Sequence, residues 1–404
     1  MATPSLDGLR HIIRRLETAR RPRTAAPPAH EVLGGELHDT PEGRVLVVRR
    51  EFPLAHQHGR QPLGQAFEAP LQLLGAVARA ETPLGDARRL LFLDTETTGL
   101  AGGTGTYAFL VGAGWLEDGR LVLAQYFMRD FDEEGALLAA LAPLIERASG
   151  VVTFNGAGFD LPLLETRFIL ARRRWPPALA HLDLLRPSRR VWSARFADCR
   201  LATLEREVLG LLREDDVPGA VIPGLYFEFL RSRRAAPLAR VFAHNRDDVL
   251  SLVALLGWFG RALLGDAHLQ AEELAGLARL WEPVDLERAL ACYRRALGAG
   301  LTTAAAHRVR LRLAWWEKRA ARWDAACDLW QAASRHDVFD PLPWEELAKF
   351  HEHRRRDLVA ARAIVEEAMD LAGSGGAPER VLGALAHRLS RLTRRLASTG
   401  QRGA

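Results

Sequence analysis

The sequence predicts an α/β domain built on a mixed sheet, followed by an all-helical region of repeated units. Three observations carry this. The apolar run Arg89 to Asp94 (RLLFLD) has the continuous character of a buried centre strand. Strand-like and helix-like segments then alternate as far as residue 265, the pattern of an α/β domain. From residue 270 strand signals cease, and an alanine–aromatic spacing recurs at about the length of a helix pair.

Taken in order, residues 1–30 read as a flexible basic lead-in: a short helix from Leu9 to Leu16, then the Arg/Pro/Ala segment RRPRTAAPPA. Residues 31–87 read as an N-terminal extension packing on the following domain, with a strand at Arg44 to Arg49 after the turn-like TPEG. His56 and His58 stand two apart there without an acidic or cysteine partner nearby, so a local structural role is expected of them. Residues 88–265 form the α/β domain. Strands are expected at Arg89–Asp94, Tyr107–Leu116 and Arg120–Met128, the last two joined by the hairpin signal Asp118-Gly119. A helix over Glu134–Ala148, a strand over Val151–Phe154, a helix over Asp160–Arg173 and a fifth strand over His181–Leu185 follow. Helical segments near Leu201–Leu209 and Tyr226–Arg233 lead to a long helix, His244–Leu264.

Residues 270–372 carry the repeat. Ala289-x3-Tyr293-x2-Ala296 recurs as Ala326-x3-Trp330-x2-Ala333 and as Ala361-x3-Val365-x2-Ala368. Small residues at i and i+7 let two helices approach, and the side chain at i+4 fills the next groove. An ordinary helical bundle with coincident spacing is the alternative. The linker GSGGAP and a basic C-terminal helix and tail over 379–404 complete the chain.

Composition excludes several classes. With 48% hydrophobic and 26% charged residues over 404 positions, the chain is globular, neither disordered nor fibrous. Its longest apolar run, Val249–Gly260, falls short of the ~20 residues of a membrane span. The N-terminal stretch has arginines but no apolar core, so no secretory signal is expected. Cys199, Cys292 and Cys327 lack metal-binding or disulfide spacing, and a cytoplasmic location is expected. The net charge is +5, and all the basic residues but Lys318 and Lys349 are arginine. That suits phosphate recognition, although a GC-rich genome would give the same bias.

The chemistry concentrates in three motifs. In Asp94-Thr95-Glu96-Thr97-Thr98-Gly99, strand alternation puts Asp94 and Glu96 on one face at a strand end, where two carboxylates suit a hard divalent cation. In Asn155-Gly156-Ala157-Gly158-Phe159-Asp160, a tight turn delivers Asp160 to a helix start, also a common place for a capping aspartate. In His244-Asn245-Arg246-Asp247-Asp248, helical period puts His244 and Asp248 on one face, with Asp247 turned away toward solvent or an arginine. Glycines 102, 103 and 105 do not have phosphate-loop spacing and read as a connection.

Together, and in this order, the motifs resemble the DEDD superfamily of 3′→5′ exonucleases, whose fold is ribonuclease H-like. The expected order βββαβαβ then helices agrees. More narrowly, DTETTGLAGGTGTYAFLVG, TFNGAGFDLPLLETRF, LLREDDVPGAVIPGLY and HNRDDVLSL resemble the YprB-type ribonuclease H-like domain. By motif the likeness covers well under half of the chain. It implies a mixed five-stranded sheet with flanking helices. It further implies Asp94, Glu96, Asp160 and Asp248 as ligands of two Mg²⁺ or Mn²⁺ ions, with His244 orienting or deprotonating the attacking water. His244 precedes Asp248 by four residues, the spacing of tyrosine-type members, whereas histidine-type members usually have five.

The resemblance implies a metal-dependent nuclease acting on single-stranded DNA or RNA. An endonuclease on the same fold, or an inactive domain in a binding or scaffold protein, is the alternative. The tetratricopeptide-like repeats imply a possible protein partner. Arg172, Arg173, Arg174, Arg186, Arg189, Arg190, Arg195 and Arg200, between the second and third motifs, suit a phosphate-tracking groove. Trp175, Trp192 and Phe196 among them either stack bases or, for the last two, fill the core.

Overall fold

A computed structural model describes residues 26–99, 105–176, 179–265 and 268–400. The proposed lead-in helix at Leu9–Leu16 and glycines 102 and 103 lie outside them. The chain divides into two units, one made of residues 1–188 and 198–267, the other of 189–197 and 268–404.

The first unit is built on a mixed sheet in the order β1-β2-β7-β6-β5-β8-β9. Its strands are β1 (Glu36–Thr40), β2 (Gly43–Pro53), β5 (Leu90–Thr97), β6 (Ala108–Glu117), β7 (Arg120–Phe127), β8 (Gly150–Thr153) and β9 (His181–Asp183). The two-residue strands β3 (Gln57–His58) and β4 (Gln61–Pro62) make a separate ribbon. The sheet therefore has seven strands, not five. The segment read as a strand of the N-terminal extension is part of the sheet, because β2 pairs antiparallel with β7 from Leu46↔Phe127 to Pro53↔Arg120. An open edge of β7 would leave a row of unpaired backbone groups, and the hairpin β1-β2 covers it.

β5 lies between β6 and β8, and Leu90 to Leu93 are buried on both faces. Asp118 and Gly119 turn β6 into β7 with φ of 48° and 74°, the left-handed pair that matches strand twist. The helices of this unit are α1 (Ala29–Leu33), α2 (Leu71–Ala78), α3 (Glu134–Arg147), α4 (Asp160–Leu170), α5 (Leu185–Trp192), α6 (Leu201–Leu204), α7 (Ile222–Ser232) and α8 (Leu238–Leu264). The last residues of α5 belong with the second unit. A short π-helical turn, Glu205–Leu209, extends α6.

α8 begins six residues before the position expected from the sequence. Its run Val249–Gly260 is buried throughout. Gly257 and Gly260 leave room for the 3₁₀ turn Leu63–Glu68 and for Ala69, to which added Cβ atoms would come within about 3.1 Å. The protein itself thus takes up the apolar surface of this run, and among the described residues no helix is long and apolar enough to cross a membrane. His58 is likewise structural. It is buried, its Nε2 lies 2.8 Å from Ser251 Oγ, and burial pushes its pKa down to about 4.

The second unit is helical: α9 (Ala271–Trp281), α10 (Leu286–Gly298), α11 (Thr303–Arg319), α12 (Trp323–Ser334), α13 (Pro341–Phe350), α14 (Leu358–Ser374) and α15 (Glu379–Gly400). Neighbouring helices pack in pairs, α9 with α10, α11 with α12 and α13 with α14. Ala289, Ala326 and Ala361 are each the fourth residue of the second helix of a pair, and each is fully buried. Tyr293, Trp330 and Val365 follow at equivalent buried positions.

Of the arginines and aromatics named above between the second and third motifs, two make contacts within this unit, and for Trp192 the core alternative holds. Trp192 is fully buried, with its indole N–H donating to Glu273, because burying its large ring outweighs leaving it at a surface. Arg195 pairs with the same glutamate at 2.8 Å.

Candidate functional site

β5 outruns β8. Their parallel pairing stops at Phe92↔Val152, while the antiparallel pairing with β6 continues past Asp94↔Gly112 to Glu96↔Leu110. Asp94 and Glu96 therefore stand where one neighbour strand has ended and a cleft can open. The cleft has a volume of about 500 Å³, and Asp94, Glu96, Asn155, Phe159 and Asp160 are among its lining residues.

Asp94 is held by a row of residues running across the sheet. Asp94, Gly112 and Gln125 are register partners on β5, β6 and β7. Gly112 has no side chain, and a Cβ there would collide with the carboxamide of Asn245 on α8. The space admits Asn245, which is fully buried and donates through Nδ2 to Asp94 Oδ2 at 2.8 Å. Gln125 in turn donates to Asn245 Oδ1 at 2.9 Å and to the Phe242 carbonyl at 2.8 Å. Gly114, two residues along, similarly lets Val249 approach.

Asp160 arrives by a different route. β8 turns sharply at Asn155, whose φ is 66°. The turn is clamped by Asp183 of β9, which accepts from the backbone N–H groups of Asn155 (2.7 Å), Ala157 (3.2 Å) and Leu185 (3.0 Å). Asp160 is the first residue of α4 and does not act as its N-cap. Its buried carboxylate instead accepts from the Thr95 hydroxyl at 2.5 Å.

α8 supplies the third group. His244 Nε2 lies 3.5 Å from Asp248 Oδ2 and 4.0 Å from Glu96 Oε1. Its other nitrogen, Nδ1, lies 2.7 Å from Asp216 Oδ1. The nearly buried Arg213 guanidinium binds both Asp248 and Glu205 and comes within 3.7 Å of Asp216. Asp247 turns away and pairs with Arg246 at 2.8 Å.

This crowding sets the electrostatics. Burial pushes the Asp94 carboxyl well above its usual range, and repulsion from Asp248, Glu96 and Asp160 adds to it. Burial raises Glu96 to about 8, with His244 working against the shift and Asp248 and Asp160 reinforcing it. Asp160 is raised to about 6 by burial, opposed by its hydrogen bond from Thr95. Burial disfavours the charged form of His244, but Asp248, Glu96 and Asp216 outweigh it and the net shift is upward. Arg213 is held firmly protonated by Asp248 and Glu205, despite its burial.

The donors are hard carboxylate oxygens whose charge Arg213 and His244 only partly offset, a set that suits Mg²⁺ or Mn²⁺. Among the described residues no three acidic, His or Cys side chains have closed to coordinating distance of one point. Asn245, Thr95 and Arg213 each engage one of the carboxylates. Five residues singled out from sequence thus face one region, and Asn245, Gln125, Thr95, Arg213 and Asp216 join them. Only Asn245, beside His244, lay within a stretch where helical period offered a hint.

Comparison with known proteins finds two likenesses. The RNase_H_2 family of the RNase_H superfamily matches residues 91–260. The uncharacterized protein YprB of Bacillus subtilis (strain 168) is 30% identical over 362 residues, covering 87% of this chain and 86% of its own.

Proposed function

The chain belongs to the YprB family, whose shared domain is of the RNase_H superfamily, and on that premise we propose that it is a metal-dependent 3′→5′ exonuclease of the DEDD type. One observation supports the reading above the others: carboxylates from a strand end, a helix start and a helix face crowd together, so that Asp248, Glu96 and Asp160 all disfavour the charged form of the buried Asp94, with His244 Nε2 3.5 Å from Asp248 and 4.0 Å from Glu96. Ribonuclease H-like nucleases typically use divalent metal ions, and in this reading the four carboxylates hold two. When bound, such a pair neutralises the scissile phosphate and stabilises both the attacking and the leaving oxygen.

The chain's own groups do the rest. His244 Nε2 takes the proton of the attacking water as the water oxygen bonds to phosphorus. The P–O3′ bond breaks, the leaving oxygen acquires a proton from solvent, and a 5′-mononucleotide departs from the shortened strand. Asp216 on Nδ1 directs the basic nitrogen to the cleft, as the hydrogen bond at one ring nitrogen sets the role of the other. Asn245 and Thr95 hold Asp94 and Asp160 in place, limiting the rearrangement needed when a cation enters. Asp248, Glu96 and Asp216 raise the His244 pKa, and these residues, were a divalent cation held by Asp94, Glu96, Asp160 and Asp248, would press less on the imidazole and leave it a readier base.

In the same reading the substrate is a single strand of DNA or RNA, the helical unit is tetratricopeptide-like, and the protein works in the reducing cytoplasm, as its free cysteines suit. The test is digestion of 3′- and 5′-labelled DNA and RNA strands with Mg²⁺ or Mn²⁺, with and without EDTA. Metal-dependent shortening from the 3′ end supports the proposal. Internal cuts would make the protein an endonuclease, and no turnover on any strand would defeat the reading.

A further inference from the structure

Of the lysines and arginines of this chain only two are lysine, and both line one cleft of the helical unit. Lys318 of α11 and Lys349 of α13 converge on Glu346, Lys349 at 2.9 Å, and Lys349 also reaches Glu345 at 3.4 Å. A second anchor lies alongside. The Glu352 side chain has no exposed surface and is bound by Arg391 (Nη2 to Oε2, 2.7 Å), Arg395 and, at 3.5 Å, Arg388, all from α15. His353 Nε2 stands 3.7 Å from it. Arg354 completes the wall, its guanidinium 4.2 Å from the centre of the Trp323 ring.

The cleft is about 440 Å³. Glu352 is buried and Glu346, in the cleft lining, is largely covered, whereas the cations they fix keep about a fifth to a half of their side-chain surface open to water. Neutralising Glu352 takes one arginine, yet three are drawn to it. Against Glu345, Glu346 and Glu352 stand two lysines and four arginines, so three positive charges face solvent uncompensated. Buried carboxylates that hold several flexible cations at one surface make a preorganised anion site, since the ordering cost is met during folding. Guanidinium forks and ammonium groups together fit phosphate oxygens.

We propose that this cleft binds the phosphate backbone of a nucleic-acid strand. The proposal rests on the nuclease reading only for the choice of nucleic acid over other polyanions, and its test needs no cleavage. The probe is a fluorescently labelled single-stranded oligonucleotide of mixed sequence, titrated in EDTA with the full chain at several salt concentrations. The variant is Lys349→Gln with Arg354→Gln, which leaves Glu346 to Lys318 and leaves the Glu352 cluster whole. An unchanged melting temperature checks that it folds. A control carries Arg44→Gln with Arg88→Gln, two exposed positions of the first unit.

The cleft variant should lose at least fivefold in affinity. Its log–log salt slope should fall by about 1.4, since each single-strand phosphate contact contributes ~0.7. The control should bind like the native chain. Equal affinity and slope in the cleft variant, or the same loss in the control, would overturn the proposal. So would intact oligonucleotide binding with lost binding of labelled polyglutamate, which would assign the cleft to an acidic polypeptide. A chain that cleaves nothing yet shows the expected loss of binding would sink the nuclease reading and keep this one.

Discussion

Asn245 and Asp94, on different secondary-structure elements, are joined side chain to side chain at 2.8 Å through the space that Gly112 leaves open in the strand beside Asp94. Burial, reinforced by three neighbouring acids, disfavours the charged form of Asp94, and Asn245 is the neutral donor that opposes the shift. Gly112→Ala should therefore act at a distance from any substrate. The new methyl collides with the carboxamide, costing ~1–3 kcal/mol of stability by overpacking. It should also lower cleavage by more than the loss of folded protein explains. Thermal melts and cleavage rates on the same samples decide it; a fully active Gly112→Ala would mean that the Asn245 contact is dispensable.

Asp248 and Asp247 are adjacent but should behave differently. Asp248→Asn should reduce cleavage ~10²–10³-fold, the usual size for loss of one charge-stabilising group. Asp247→Asn, which loses only a pairing with Arg246, should keep most of it. His244→Ala should slow turnover while leaving Mn²⁺ affinity nearly intact, because it is assigned to water and not to metal. Rates with an Mn²⁺ titration of each variant are the measurement, and equal loss at both aspartates would refute the assignment.

Arg213 is the cation that the acidic cluster depends on while metal-free. It is nearly buried and bridges Asp248 to the buried Glu205. Arg213→Gln leaves Glu205 without its guanidinium, and breaking a buried pair from one side typically costs ~3–5 kcal/mol. Urea denaturation of the variant should show a loss of that size. A companion Glu205→Gln in the same chain should recover part of it, and no recovery would mean that the pairing is not the cause.

The raised carboxyls make stability depend on pH with a definite sign. Glu96 rises from an ordinary 4.5 to about 8, so between those values the folded chain holds a proton that the unfolded chain has lost. That contribution is complete below about 4.5 and disappears as pH climbs through about 8. His244, also raised, acts in the same direction. Asp160 has the same sign but is spent by about 6, and the depressed His58 opposes it only between about 4 and 6.5. In EDTA the melting temperature should therefore fall from pH 6.5 to 8.5, and Glu96→Gln should flatten that fall. Added Mg²⁺ or Mn²⁺ should raise stability most at the alkaline end, where it no longer competes with protons. A melting temperature that rises with pH in EDTA would contradict this.

The sequence by itself determined the α/β class, the alternation of strands and helices through the first unit, and the helical character of the second. The class and the element alternation follow from short-range periodicity, which also pairs Asp94 with Glu96 and His244 with Asp248. The resemblance to the DEDD exonucleases is what joined these with Asp160 as one candidate set. Strand alternation couples Asp94 to Glu96, helical period couples His244 to Asp248, and Asp118-Gly119 takes the left-handed turn that its chemistry favours. Only the tertiary structure decided the rest. The strand at Gly43–Pro53 became part of the sheet because the edge of β7 needed a partner, a long-range pairing that no local pattern records. Trp192 went to the interior because Glu273, 81 residues on, meets its indole N–H. Gln125 carries no distinctive spacing, and Arg213 and Asp216, although inside the quoted stretch LLREDDVPGAVIPGLY, show no local pattern that assigns them to Asn245, Asp248 or His244; those contacts join segments far apart in sequence. Polar and charged partners of this kind are chosen by what would otherwise stay buried and uncompensated, a condition that exists only once the chain has closed around it.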